Sequence, residues 1–210
     1  MTRLTILLVL LTNLCFGQTD LDYQLYSQVL DDYIDEGTKH GAKTTEVVII
    51  TRFAPDKNEA SAYGTVFLEN DEKTRNMALH YDTMKIRLFK DGQVRNALQQ
   101  LESEFFDTPL LDKAKFRLTP TVSTITSGQF KGYFKTFFGR SIDKGWKKFY
   151  KRHPGSHGVF EFSKVVYSGN FACFYVGRHS NGLSGSGDIV IARRLNGEWN
   201  IVTSVNIWMS

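Results

Sequence analysis

The chain has 210 residues and a formal charge of +4, with 41% hydrophobic and 23% charged residues, a composition typical of folded globular proteins. Its four prolines and 17 glycines exclude collagen-like and linker-dominated proteins. After residue 15 no apolar run approaches the roughly 18 residues of a membrane-spanning helix, so we expect no transmembrane segment.

The N-terminus has the layout of a secretory signal peptide. Arg3 precedes a mainly apolar stretch, and small residues occupy the −3 and −1 positions of a possible cleavage site after Gly17. We therefore expect an exported protein, periplasmic or extracellular. In this interpretation residues 1–17 are the signal peptide and residues 18–210 form a single α+β domain.

Removal of the signal peptide would take one of the two cysteines and would lower the formal charge to +3, because Arg3 is lost. Cys173 would then be alone, which leaves no internal disulfide. Since its neighbours are aromatic and β-branched, we expect a buried, unreactive thiol.

The first part of the mature chain predicts a helix and then a strand. Thr19 and Asp22 have capping-box spacing, and apolar residues follow at helical spacing until Gly37. The outer side of this helix carries four acids, which we interpret as solvated: Asp31, Asp32, Asp35 and Glu36. The β-branched segment 46–53 predicts a central strand.

The middle of the chain predicts three more helices. Residues 56–90 have a poor pattern, in which 65–68 could form a strand and 77–89 fit helix and strand spacing about equally. Residues 91–105 have clear helical spacing. Thr126 and Gln129 form a second possible capping box, and the aromatic residues behind it would lie on one helix face until Gly139. A further helix starts near Ser141 and is ended by Pro154.

The last third changes to a period of two, which predicts strands. The segments are 159–168, 171–177, 188–195 and 198–209, separated by turn residues, a glycine-rich loop and Asn196-Gly197. Asn-Gly between apolar alternations indicates a two-residue hairpin turn. The predicted fold is α+β, with N-terminal helices packed on a mainly antiparallel sheet and a C-terminal β-meander.

An ordered set of residues runs through this last part: Trp146-x-x-Phe149-Tyr150, Pro154-x-Ser156-x-Gly158, Phe162-Ser163-x-Val165, Gly182-Leu183-x-Gly185-x-Gly187, Gly197-x-Trp199 and Trp208-x-Ser210. The set resembles an uncharacterised family of small exported bacterial proteins. The family has no assigned activity, so the resemblance implies no functional residue. Proteins of that family can hold two cysteines near the positions that Ser180 and Ser184 occupy here. Because this chain has serines there, the resemblance implies no disulfide or metal site in this segment.

The glycine-rich segment fits no catalytic or cofactor motif. Ser184 lacks the second glycine of a nucleophile elbow, Val190 replaces the third glycine of a dinucleotide fingerprint, and a phosphate loop would need Gly-Lys-Ser/Thr. We therefore predict no cofactor. The segment is interpreted as a turning connection whose backbone N–H groups at Gly185 and Gly187 could still bind an anion.

Two histidine patterns have spacings that resemble functional sites. A serine hydrolase using Ser184 and His179, with Asp188 to orient the imidazole, is the alternative function. His153 and His157 are four residues apart, but Pro154 breaks the helix that would align them, so we predict no metal site. No catalytic residue is assigned, and a non-enzymatic protein is favoured.

The most specific feature is a basic aromatic segment, residues 130–152, with eight Lys or Arg residues, eight aromatic residues and one acid. One interpretation is a pair of amphipathic helices with buried rings and solvated lysines. The other is a ligand-binding face. The candidate binding residues are Lys144, Lys147, Lys148, Lys151 and Arg152, with Gly185 and Gly187.

These patterns favour a non-enzymatic envelope or secreted binding domain. The expected partners are an anionic lipid, lipopolysaccharide, an acidic glycan or a protein, and nucleic acid is not expected for an exported chain. Residues 20–36 hold six acids and no base. A structural or assembly subunit, in which this acidic helix meets the basic segment within the fold or across a dimer, is therefore a further alternative.

Overall fold

The computed structural model describes residues 19–54, 79, 82–136 and 139–210. These residues form helices packed around a mixed sheet that is mostly antiparallel, so the predicted α+β class is confirmed. The expected signal peptide, most of the unassigned segment 56–90, and Phe137 and Phe138 of the aromatic stripe lie outside the described residues.

The helices are α1 (Asp20–Lys39), α2 (Thr83–Lys90), α3 (Gly92–Ser103), α4 (Ser127–Tyr133) and α5 (Ile142–Arg152), with a 3₁₀ turn at Lys113–Lys115. The strands are β1 (Glu46–Ile50), β2 (Thr121–Ile125), β3 (Lys135–Thr136), β4 (Gly139–Arg140), β5 (Val159–Phe162), β6 (Val166–Ser168), β7 (Phe171–Asn181), β8 (Ser184–Leu195) and β9 (Glu198–Met209). Among the described residues, no helix combines the length and the apolarity that crossing a bilayer requires.

The main sheet has the order β2-β1-β5-β7-β8-β9, and β6 also pairs with β7. Strand β1 is parallel to both β2 and β5, whereas the remaining pairs are antiparallel. β1 is therefore an interior strand, as its β-branched sequence predicts. A strand whose two faces are both covered is apolar on both sides. The predicted C-terminal meander is confirmed as β7-β8-β9.

One face of the sheet, called here the α1 face, packs against α1. Thr19 caps this helix in a capping box with Asp22. Tyr26 is fully buried, with its ring 4.6 Å from that of Phe162 and 5.4 Å from that of Phe174. The four acids on the outer side of α1 are exposed, which confirms that they are solvated.

The opposite face, called the α5 face, carries α3, α4 and α5. Side chains alternate along a strand, so Val47 and Ile49 of β1 belong to the core under α1, while Val48 and Ile50 pack with the Phe149 ring of α5. Further along this face, α3 packs on β6 and β7 in the core that contains Cys173. Cys173 is completely buried, as expected from its neighbours.

Two predictions about element length are wrong. The helix α4 ends at Tyr133 rather than Gly139, because the chain turns into the β3–β4 hairpin, closed by the Ser141 N–H donating to the Phe134 carbonyl at 3.0 Å. The predicted strand 159–168 is interrupted after Phe162. There the Ser163 hydroxyl oxygen accepts the Tyr175 N–H at 2.8 Å, replacing a strand-to-strand bond.

The prediction of a glycine-rich loop is also wrong. Strand β7 continues to Asn181 and β8 begins at Ser184, so Gly185 and Gly187 lie within a paired strand. By contrast, the Asn196-Gly197 turn is confirmed, with φ angles of 52° and 90°. Strand β2 was not predicted, because it has five residues and most of them are polar.

Candidate functional site

The solvent side of α5 consists almost entirely of cations. Trp146 and Phe149 are buried, and the helical repeat gathers the exposed positions on one continuous side. That side carries the five predicted binding residues: Lys144, Lys147, Lys148, Lys151 and Arg152. Within the described part of the chain, none of the five lies within 4.0 Å of a carboxylate. The side is thus a positive surface without ionic compensation.

The aromatic residues of this segment that the structure describes point the other way. Trp146 lies with its ring 5.3 Å from that of Phe149 and 5.8 Å from that of Phe130 on α4. These rings form a core between α4, α5 and the sheet. The interpretation of buried rings and solvated lysines therefore holds for α5. Whether this helix can bind a ligand then depends on the surface that lies next to its cations.

A groove of about 600 Å³ lies beside α5, at the β2 end of the sheet. Its cationic lining comes from Lys148 and Arg152 of α5 and from Lys113 of the 3₁₀ turn. The other polar residues that line it are Ser123, Thr124, Gln129, Tyr133 and His153. Two of the five predicted cations therefore line a concavity, together with a lysine that sequence analysis did not single out.

His153 supports one wall of this groove. It ends α5, is 8% exposed, and lies with Nδ1 3.0 Å from Glu46 Oε1 and Nε2 3.3 Å from the Tyr133 hydroxyl. A carboxylate only accepts hydrogen bonds, so Nδ1 carries a hydrogen towards Glu46. His153 thereby ties α5 and Tyr133 to β1, as expected for a packed histidine, whereas His157 is exposed.

The two candidate glycines do not line the groove, because β1, β5 and β7 separate β8 from β2. Their lack of a side chain makes room for β9. A Cβ atom on Gly185 would lie 3.0 Å from the Trp208 ring and 2.7 Å from the Ser210 hydroxyl, and one on Gly187 would collide with the indole. Close packing of Trp208 explains these glycines.

The residues of the serine hydrolase hypothesis are not brought together. The strand register places Gly185, not Ser184, opposite His179, and places Asp188 opposite Val176 on the α1 face. There Asp188 accepts hydrogen bonds from Asn206 at 3.1 Å and from the Tyr33 hydroxyl at 3.4 Å. Asp188 therefore cannot orient the His179 imidazole.

The acid that does meet His179 is Glu161 of β5. Its Oε1 lies 3.0 Å from His179 Nε2, and Glu161 is 6% exposed. The His179 ring also stacks on Trp208, with centroids 5.4 Å apart. The pairing of Glu161 with His179 was not predicted, although Glu161 is the single charged residue of the otherwise apolar strand Val159–Phe162. A lone acid in a buried strand is the signal that could have found it.

Two smaller cavities lie on the α1 face, on either side of Tyr33. One of about 270 Å³ reaches Val176 and Asp188, and one of about 120 Å³ reaches Gly158 and Arg178. Burial, together with the Asp188 carboxylate, raises the pKa of Tyr33 to about 12. Neither cavity contains any of the predicted binding residues. Among the described residues, no group of three or more His, Cys, Asp or Glu side chains could hold a metal ion.

The groove beside α5 is thus the place where predicted binding residues and a concave surface coincide. The chain matches no protein-family model, no curated protein and no solved structure. A functional assignment for it rests on the groove and on the charges around it.

Proposed function

We propose that the protein is an exported, non-enzymatic binding domain that takes an anionic ligand in the groove between α5 and β2. The observation that carries this proposal is the convergence of Lys113, Lys148 and Arg152 on one groove of about 600 Å³. Cations that bind phosphate, sulfate or carboxylate groups form hydrogen bonds assisted by charge, which are stronger than neutral ones.

The remaining lining side chains suit a ligand with further polar groups. The hydroxyls of Ser123, Thr124 and Tyr133 and the amide of Gln129 both donate and accept hydrogen bonds. Lys144, Lys147 and Lys151 continue the positive surface outside the groove. An acidic glycan, lipopolysaccharide or an anionic lipid headgroup offers the charge for which this arrangement is suited, and the exported location expected from the sequence would bring such molecules within reach.

Exposed charges are screened by salt, so binding should weaken steeply with ionic strength. We would titrate the purified protein with vesicles containing phosphatidylglycerol and, separately, with a sulfated polysaccharide. The expected result is an affinity for at least one of these probes that falls about tenfold or more between roughly 50 and 300 mM salt. Vesicles of phosphatidylcholine alone should not bind.

The deciding variant is Lys148→Glu with Arg152→Glu, which reverses both α5 charges in the groove. A matched control is Arg87→Glu with Arg95→Glu, because these two residues are exposed on α2 and α3 and the change in net charge is the same. We expect the groove variant to lose binding and the control to keep most of it. Equal losses in both would reduce the effect to net charge, and retention by the groove variant would exclude the proposed site.

A second candidate function, self-assembly, is favoured by the position of the two charged helices. The acids of α1 and the cations of α5 lie on opposite faces of one sheet. Because the sheet stands between them, the two surfaces can meet only across copies. A contact between two different surfaces is heterologous and continues into a chain of copies unless it closes into a ring.

Charge reversal separates this candidate from ligand binding. Asp32→Lys with Asp35→Lys and, in a second protein, Lys147→Glu with Lys151→Glu would each repel their own copies. Mixing the two variants should restore association, seen by sedimentation at low salt. A natural protein that stays monomeric at low salt would rule self-assembly out.

A further inference from the structure

We infer that the groove takes an extended acidic peptide segment of a partner protein, which adds as a strand to the free edge of β2. This inference rests on the proposed function, since it names the partner of the same groove. It follows from three observations: the direction of the β2 backbone groups, the place where the groove opens, and the position of its cations.

Among the described residues, β2 is the last strand on its side of the sheet. The Thr121 N–H donates to the Thr45 carbonyl at 3.1 Å, and the Ile125 carbonyl accepts the Thr51 N–H at 2.8 Å. In a parallel pair, alternate residues face the neighbouring strand. Residues 121, 123 and 125 therefore bond to β1, while Val122 and Thr124 direct their N–H and C=O groups away from the sheet.

No hydrogen bond joins these outward backbone groups to any residue in the described ranges. A free edge of this kind is a template for another extended chain. The two outward residues offer two donors and two acceptors at the spacing of a β-ladder. Another backbone in extended conformation satisfies all four, whereas a sulfate or phosphodiester group supplies acceptors only.

The groove opens on this edge. Thr124 pairs with Ile49 and so lies on the α1 face, whereas Ser123 pairs with Val48 and lies on the α5 face. The groove is lined by both residues. A concavity lined by neighbouring residues from opposite faces must include the edge between them.

Cations flank the edge from both sides. Lys148 and Arg152 belong to α5, whereas Lys113 lies in a turn between Leu111 and Phe116, which pack in the core of the α1 face. Side chains of an added strand alternate between the two faces. Acidic side chains of the added strand can therefore meet cations on either face. The same cations repel a second β2 edge, so an acidic segment is preferred over self-pairing.

The probe is a fluorescent peptide of about ten residues that alternates glutamate and threonine, long enough to span β2. Binding is followed by fluorescence anisotropy. Two further peptides carry N-methyl groups, one on every glutamate and the other on every threonine, so the charges are kept while alternate backbone donors are lost. We expect one of the two to bind about tenfold more weakly than the parent, the effect of one or two hydrogen bonds. If both bind as tightly as the parent, strand addition is excluded.

The matching change in the protein is Thr124→Pro. It removes an outward N–H and leaves the bonds between β1 and β2 intact, which proline tolerates on an edge strand. We expect Thr124→Pro to bind the peptide about fivefold or more weakly than Thr124→Val, which loses the same hydroxyl but keeps the N–H. Equal peptide binding by the two variants would count against strand addition. Should the variant not fold, amide hydrogen exchange on the natural protein replaces it. The peptide should protect the Val122 and Thr124 amides, and unchanged exchange would overturn the inference.

The charge variant Lys148→Glu with Arg152→Glu separates the two levels of the proposal. Loss of both probes in this variant, with no effect of Thr124→Pro or N-methylation, would keep the anion site and overturn the peptide inference. Binding of both probes by the charge variant as tightly as by the natural protein would overturn both.

Discussion

The indole ring of Trp208 occupies the space that any side chain at Gly187 would need. The two residues are directly paired between β8 and β9, and the indole N–H donates to the Tyr175 hydroxyl of β7 at 3.1 Å. The ring thus connects the last strand to β7 across β8. The same ring stacks on His179, which is held by Glu161. The glycine-rich segment, which in sequence resembles a ligand-binding loop, instead leaves space for the tryptophan ring.

The first prediction tests the packing of Trp208 against Gly187 with the variant Gly187→Ala. The added methyl group must displace the indole, so we expect a loss of about 1–3 kcal/mol in the free energy of unfolding, measured with urea. The tryptophan fluorescence of the folded protein should change as well. Gly92→Ala is the control, because no described atom outside its own stretch of helix lies within 4 Å of its Cβ position, and it should leave stability unchanged or raise it slightly. Equal stability of the two variants would disprove the packing role.

The second prediction concerns the buried carboxylate of Asp22. The Tyr167 hydroxyl donates to Asp22 Oδ1 at 2.5 Å, and burial raises the pKa of Asp22 while hydrogen bonds from Tyr167 and Thr19 partly oppose that rise. Tyr167→Phe removes one donor from a carboxylate that is 4% exposed. We expect a loss of about 1–3 kcal/mol near neutral pH.

The pH dependence of that loss has a definite sign. Without the Tyr167 donor, the pKa of Asp22 in the folded state rises further, so the folded variant favours the protonated carboxyl even more. The destabilisation should therefore be smallest in acid, below the unfolded-state pKa of about 4, and grow as the pH rises through the ionisation of Asp22. Urea unfolding at several pH values measures this, and a loss that does not vary with pH would contradict the assignment.

The third prediction concerns the ion pair between Glu104, at the end of α3, and Lys164, between β5 and β6. Lys164 Nζ lies 2.7 Å from Glu104 Oε2. The hydrogen bond that Lys164 donates to Glu104 lowers the pKa of Glu104 and raises the pKa of Lys164. The stabilisation is therefore present from about pH 5 to pH 10 and is lost as the pH falls through the pKa of Glu104 or rises through that of Lys164.

Glu104→Gln tests this ion pair. Both partners are partly exposed, so we expect a loss of only about 0.5–1 kcal/mol, reduced further by salt. Asp107→Asn is the matched control, since Asp107 Oδ2 lies 3.5 Å from Lys164 Nζ and its side chain is 67% exposed. Its effect on unfolding should be smaller. A larger effect at Asp107 than at Glu104 would show that the closer contact is not the stabilising one.

The fourth prediction concerns the thiol of Cys173. Complete burial raises the pKa of Cys173 to about 12, so at pH 8 almost no thiolate exists in the folded protein. In a Cys15→Ser chain, alkylation at pH 8 should be very slow and should accelerate in urea together with unfolding. Rapid labelling of the folded protein would show that the thiol is accessible.

Local chemistry made much of the fold predictable. Both capping boxes, at Thr19 and Thr126, form as their spacing indicates, because a side chain three residues away satisfies the free amide at a helix start. The Asn196-Gly197 turn forms for the same kind of reason, since few residues tolerate positive φ. These features depend on neighbours in sequence, which composition and spacing reveal directly.

Contacts between distant segments were harder to predict. The short strand β2 is recognised only by its pairing with β1. The helix predicted to reach Gly139 stops early, where the hairpin after Phe134 is closed by Ser141. The partner of His179 proved to be Glu161, 18 residues away, not the nearer Asp188. Alternation along the strands decides such pairings, because it places adjacent residues on opposite faces.

Residue order was enough to predict the α+β class, the C-terminal meander, the buried Cys173 and the cationic side of α5, because each depends on periodicity or on short-range sterics. Which concave surface the cations of α5 line depends on the packing of distant segments. Lys113 joins Lys148 and Arg152 because a turn far away in sequence lines the same groove as α5, and β2, the edge strand among the described residues, lies between them. Gly185 and Gly187, predicted as part of a candidate anion-binding loop, instead pack against Trp208. The reason is the same: the register of the strands, not the spacing in sequence, determines which residues meet.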